Sequence, residues 1–263
     1  MSVLANRIFY INSENRISGT ASNFSYQLEI PKDQKYDSCC VLAMTIPRSY
    51  YLIRNGQNSC TLMVDGTPYV ITIPRGNYTA INFQPVLLGQ LNSFGVGTFT
   101  MSLSTITGKF TYGYVGAGTA LSFNFAAPSK LGHQMGFPEV SSTAFVAGTL
   151  TSTNVLDFIS TSTLFLHSDM VMDKTSILQE VYADNSIPFS NLVYNCRDTN
   201  MYSKSMQNTQ SGVFNFSLCD EHDLEVNLNG QDICITLLVY KKENLSALLS
   251  RMFNHVFGKK DEQ

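Results

Sequence analysis

An all-β sandwich is the fold class this sequence predicts, and three observations within residues 211–240 carry the expectation. First, Val213, Phe214, Phe216 and Leu218, then Leu224, Val226 and Leu228, then Ile233, Ile235, Leu237 and Val239 form three short apolar segments with strand period. Second, Asn229-Gly230 stands between the second and third segments, and this dipeptide takes the positive φ angles of a tight hairpin turn most readily. Third, the last segment carries Cys234, Thr236, Leu238 and Tyr240 on its other face, so both faces can be covered, as in a strand inside a sandwich.

The remaining elements follow in chain order. Residues 1–22 hold one apolar burst, Ile8, Phe9 and Ile11, followed by a polar stretch, and read as an N-terminal arm able to add a strand to its own sheet or to a neighbour's. Phe24, Tyr26, Leu28 and Ile30 alternate with polar residues up to Pro31, a half-exposed strand. The continuous apolar run 39–46 reads as a more buried one. Two strands flank Asp65-Gly66, a second hairpin signal. Ile81, Leu87, Leu88 and Leu91 have helical spacing, and Pro85 marks a first turn or a kink, so one short internal helix is expected near 84–93. Strands return over 99–103, 109–114 and 121–125, and Leu131 and Met135 pack a single helical turn over 130–135. Residues 139–163, rich in Ser, Thr, Ala and Gly, read as a long surface loop or excursion. Strands starting at Leu164, Ile177 and Leu192 lead through polar residues 197–210 into the closing block, about a dozen strands in all.

The last element differs in kind. Leu245, Leu248, Leu249, Met252, Phe253, Val256 and Phe257 form a continuous helical stripe ending at Gly258, so residues 243–263 are expected to be an amphipathic helical tail. Its apolar stripe has three possible covers: its own sandwich, a partner's groove or, more weakly, a membrane surface.

Composition narrows the function classes. With 263 residues, 44% hydrophobic and 14% charged, the chain can bury a sizeable core in one large β domain or two small ones. Seventeen basic and twenty acidic residues give a net charge of −3 with no long basic run, which argues against nucleic acid as a specific partner. The N-terminal residues lack an apolar signal region and no stretch reaches the ~18 apolar residues of a membrane span, so secretion by a signal peptide and membrane contact are not expected. The six cysteines lack paired spacing and read as reduced thiols, not as a zinc site or disulfide framework.

Signals for reaction chemistry are scarce. The chain has no GxSxG elbow, P-loop, HExxH or dinucleotide fingerprint, and its four histidines are not spaced as a metal pair. The cluster Asp220-Glu221-His222-Asp223 sits between two expected strands and reads as a solvated turn. An enzyme is not expected, and no catalytic residue, cofactor or metal is assigned.

Several segments together carry a family resemblance: NRIFYINS at 6–13, SNFSYQLEIP at 22–31, VLAMTIPRSYY at 41–51, LGHQMGFP at 131–138, and the closing block from Leu218 through Asn229-Gly230 to Leu238. In this order they resemble the penton (vertex) capsid proteins of virophages, polinton-like viruses and related eukaryotic double-stranded DNA viruses. The resemblance spans most of residues 6–240 and implies a jelly-roll sandwich over 23–242, placed in the virion. It also implies a homopentamer at an icosahedral vertex, contacting the major capsid protein and possibly minor capsid proteins. The chain has no RGD motif, so a receptor role is not implied. Ile8, Phe9 and Ile11 of the arm and Leu245, Leu248, Leu249, Met252, Phe253 and Val256 of the tail are the expected contacts to neighbours. Two alternatives stay open: a minor capsid or cement protein beneath the facets, and a carbohydrate- or receptor-binding jelly roll using loops 139–163 and 197–210.

Overall fold

Antiparallel strands carry nearly all the regular structure in the computed structural model of the chain, which describes residues 6–31, 36–54, 56–125, 131–138, 142–158, 162–183, 190–207 and 211–242. Strands β1 (Asn6–Asn12), β2 (Ser18–Gly19), β3 (Asn23–Gln27) and β4 (Ser38–Pro47) come first. Next are β5 (Ser59–Val64), β6 (Thr67–Thr72), helix α1 (Ala80–Ser93), β7 (Thr98–Ser104), β8 (Lys109–Val115), β9 (Leu121–Asn124), helix α2 (Leu131–Met135), β10 (Ser142–Ala144) and β11 (Thr149–Thr151). Strands β12 (Thr163–Ser168), β13 (Ile177–Tyr182), β14 (Asn191–Asn195), β15 (Lys204–Ser205), β16 (Val213–Asp220) and β17 (Cys234–Tyr240) follow. The chain forms two compact units, one from the described residues of 1–50 and 161–263, the other from those of 51–160. Reading 23–242 as one domain does not separate the second unit.

The first unit is a jelly roll. One sheet runs β1-β17-β4-β14, with β15 also on β4, and the other runs β13-β12-β16-β3-β2. Counting its eight principal strands in chain order, the sheets read first-eighth-third-sixth and fifth-fourth-seventh-second, the order produced by two Greek keys wrapped into a double sheet. Residues 51–160 are inserted between the third and fourth of these strands. A single core joins the two sheets, with Ile11, Val41, Ile46, Ile235, Leu237 and Val239 from one and Phe24, Leu164, Leu166, Phe214, Phe216 and Leu218 from the other. Phe24 and Phe216 stack at 5.5 Å across the β3–β16 pair.

One open choice is decided here and one expectation is corrected. Over residues 6–12 the N-terminal arm adds an edge strand to its own sheet, paired with β17 from Asn6 opposite Tyr240 to Asn12 opposite Cys234. The seal is Ser13, fully buried, whose Oγ donates to Asp232 (2.7 Å) and accepts from the Ile233 amide (3.0 Å). The expected closing hairpin is absent. Asn229 and Gly230 do take positive φ (50° and 83°), but residues 224–228, its first arm, form no strand beside β17, and β16 and β17 lie in different sheets. Residues 224–228 cross between them, dropping Val226 and Leu228 into the core. Alternation made this crossing look like a strand, because any extended segment over a core buries every second side chain.

The second unit has sheets β10-β9-β5-β6 and β11-β8-β7, and both helices. Its β5–β6 hairpin turns at Asp65-Gly66, both at positive φ (47° and 84°), as the sequence predicts. Helix α1 begins four residues earlier than expected because Thr79 and Asn82 form a capping box, which moves Pro85 inside the helix. Phe83, Leu87 and Leu91 are its buried stripe, whereas Ile81 is 78% exposed. Helix α2 buries Leu131 and Met135 as expected and ends at Gly136, whose φ of +80° and close approach to Ser152 leave no room for a side chain. Residues 139–163 contribute β10 and β11, short additions to each sheet, where a loop was expected. The core is mainly aromatic: Phe110, Tyr112, Phe123, Phe125 and Phe137 pack in series, and the buried Tyr112 hydroxyl donates to the Met135 carbonyl (3.1 Å).

Candidate assembly surface

The sheet β1-β17-β4-β14 has an inner face in the core and an outer face whose composition is unusual. Across all four strands the only charged side chain is Arg7. Arg7 shares the inner side with Phe9 and Ile11, lies over the Phe9 ring at 5.0 Å and donates to the Glu29 carbonyl (2.6 Å). Alternation therefore leaves the outward positions of these four strands without charge, and charged side chains enter only beside β14, where Val193 lines a cleft with Glu180, Arg197 and Lys204.

Strand register places the outer residues in rows. Ile8 lies opposite Leu238, which lies opposite Cys40. Tyr10 lies opposite Thr236, then Ala43, then Asn195 of β14, and Cys234 lies opposite Thr45, then Val193. The edges carry the exposed apolar bulk: Ile8 is 45%, Tyr10 77% and Val193 63% exposed. A bulge in β4 opposite Thr236/Leu237 changes which residues face inward, so Cys39 and Val41 are buried before it, and Met44 and Ile46 after it.

The outer face of the second sheet carries a carboxylate, Glu180, among aromatic side chains. Phe165 lies opposite Glu180, and Thr163 opposite Tyr182, which is 75% exposed. Glu180 beside the Tyr182 phenol pushes its pKa up, since a second negative charge there is disfavoured. A cleft of about 940 Å³ opens beside β13 and β14, lined by Phe165, Glu180, Tyr182, Tyr194, Arg197, Tyr202 and Lys204. Burial, with Cys196 alongside, raises the Tyr194 phenol. Cys196 also lines the cleft, and the Sγ atoms of half-buried Cys196 and buried Cys40 are 3.7 Å apart.

The acidic cluster at 220–223 has a structural task. Asp220 is buried and accepts from the backbone amides of His222 (2.9 Å) and Leu224 (3.0 Å), closing the turn after β16. Among the described residues no three His, Cys, Asp or Glu side chains are grouped to hold a metal ion. No described helix is long and apolar enough to cross a membrane.

Of the residues expected to contact neighbours, Ile8 lies on the exposed outer face, Phe9 is half-buried against the core and Ile11 is inside it. Leu245, Leu248, Leu249, Met252, Phe253 and Val256 fall outside the described residues. Tyr10 was within reach of sequence reasoning, since it shares the parity of Ile8. Val193 was not, because a five-residue strand does not reveal which parity faces the core.

No family model and no curated protein matches this sequence. Among solved structures, the crystal structure of selenomethionine-labelled mavirus penton protein is similar at 11% identity, with 90% of this chain and 100% of that chain covered and a TM-score of 0.45.

Proposed function

We propose that this chain is a structural virion protein, the vertex (penton) subunit of an icosahedral capsid, assembling as a homopentamer that contacts the major capsid protein. The observation that carries the reading is that no outward position of β1, β17, β4 or β14 is charged, with Ile8 and Tyr10 held out to solvent at the β1 edge and Val193 at the β14 edge. Desolvating a charge on association is costly, and obligate interfaces are depleted of charge at their centres, so such a face suits burial against another subunit. A five-membered ring needs a heterologous contact, in which one face of each subunit meets a different face of the next. The second sheet's outer face, with Phe165 and Tyr182, provides the counterpart. The tail stripe from Leu245 to Val256 supplies a further contact, to the neighbouring subunit or to the surrounding shell.

Light scattering coupled to size exclusion, at low and high concentration, tests the reading. A particle of about five times the 29.2 kDa chain mass is expected. A chain that stays monomeric at every concentration, and also when mixed with its major capsid protein, would sink it. The cleft beside β13 and β14 supports a second reading, a glycan-binding module, because Tyr182 and Tyr202 offer sugar-stacking faces beside Arg197 and Lys204. Saturable binding on a glycan array that is lost in Tyr202→Ala would favour that reading.

A further inference from the structure

We propose that Cys40 and Cys196 form a disulfide site, closed by exchange with a low-molecular-weight disulfide and reopened by low-molecular-weight thiols. The two sulfurs are in contact at 3.7 Å, Cys40 on β4 and Cys196 one residue past the end of the neighbouring strand β14. Strands β4 and β14 are paired from Asn191 opposite Pro47 to Asn195 opposite Ala43, and the Cys196 amide donates to the Leu42 carbonyl (2.8 Å) beyond the last pair. These backbone bonds keep the two thiols together in the folded chain, so the sulfurs need approach by only about 1.7 Å to reach bonding distance. Cys39, one residue earlier, is turned into the core and lies opposite Val239, which leaves Cys40 as the partner.

The order of events follows from exposure. Cys196 is half-buried and within reach of solvent, whereas Cys40 is fully covered. The Cys196 thiolate attacks one sulfur of glutathione disulfide, forming a mixed disulfide and releasing one glutathione thiolate. The Cys40 thiolate then attacks the Cys196 sulfur and expels the second glutathione. The protein dithiol loses two electrons, the small disulfide gains them, and the two cysteine protons end on the two glutathione thiols. Burial first, and then Cys196, pushes the Cys40 thiol up to about 12. In the mixed disulfide Cys196 carries no thiol and burial is the main cause left to hold the Cys40 thiol up, so near neutral pH the resolving thiolate becomes about tenfold more abundant per pH unit and ring closure accelerates in step. In reducing surroundings the pair stays open, and in oxidising surroundings it fastens β4 to the segment leaving β14. The inference is independent of the assembly reading, since both sulfurs belong to one subunit.

The test uses the full chain, purified reduced and incubated with glutathione disulfide at pH 7 and pH 8, then alkylated and digested without reduction. The peptides containing Cys40 and Cys196 are expected to be joined, two hydrogens lighter than the sum of the reduced pair and free of glutathione, and closure about tenfold faster at the higher pH. A lasting glutathione adduct on Cys196 with Cys40 still free for alkylation after unfolding would overturn the proposal. So would a bond through Cys39. Cys196→Ser should abolish the joined peptide, and the wild-type peptide map decides the matter even where that variant does not fold.

Discussion

Replacing Tyr10 with glutamate puts a carboxylate among the uncharged outward positions of β1, β17, β4 and β14. In the isolated chain the side chain is 77% exposed and faces Thr236 across the β1–β17 pair. Losing one cross-strand pair costs about 0.2–1 kcal/mol, so the subunit should fold and melt almost as the wild type does. In the assembly the arithmetic differs. An aromatic side chain buries about 150–250 Å² in total, so with 77% of it still exposed, roughly 115–190 Å² remains to be covered, ~3–5 kcal/mol at ~25 cal/mol/Å². An unpaired carboxylate confined there adds a desolvation cost of the same sign. At about 1.4 kcal/mol per tenfold, association should weaken by at least ~100-fold. Sedimentation equilibrium over a concentration series, beside thermal melting by circular dichroism, separates the two effects. Wild-type association by a normally folded Tyr10→Glu chain would refute the assignment of this face.

Three further outcomes follow from the same geometry. Ser13→Ala leaves the buried Ile233 amide without its acceptor and should lower stability by about 1–3 kcal/mol in chemical denaturation; a neutral result would mean that β1 is not sealed at this end. Asp65 accepts from the amides of Ala120 (2.8 Å) and Thr119 (3.0 Å) and from the Thr119 hydroxyl (3.0 Å), and in that order these bonds hold its carboxyl below the ordinary value of 3.8. A depressed folded-state pKa adds stability above the unfolded value and loses it as pH falls through the folded one. Midpoints measured between about pH 5 and pH 2 should therefore fall more steeply in the wild type than in Asp65→Asn, and equal slopes would contradict the role given to these bonds. Deleting residues 243–263 should weaken assembly while leaving the β-fold intact by circular dichroism, and unchanged assembly would rule the tail out as a necessary contact.

Much of the fold was legible because period-two burial marks strands wherever a sheet has one wet face. Phe24 to Ile30 and Ile233 to Val239 both show it. Which strands pair is a different question, settled by contacts far apart in sequence. Asn229-Gly230 signalled a turn correctly, yet the segment before it is no strand, because it crosses from one sheet to the other with Val226 and Leu228 in the core. The β4 bulge escaped notice because its run from Cys39 to Ile46 is apolar on both sides of the shift. The insertion at 51–160 gave no composition break, since both units use the same strand grammar. The candidate surface was half visible. Ile8 belongs to it, but Phe9 and Ile11 serve the core, because the apolar burst of an edge strand feeds both of its faces. Its remaining members, on β4, β14 and β17, become neighbours only through the register.

The central claim is a ring of five identical subunits joined through the outer sheet faces. Averaged electron-microscope images of the purified oligomer, viewed end-on with no symmetry imposed, test it most directly. The account predicts five-fold views that disappear in Tyr10→Glu. Two-fold, three-fold or six-fold views, or five-fold rings that persist unchanged in that variant, would contradict it.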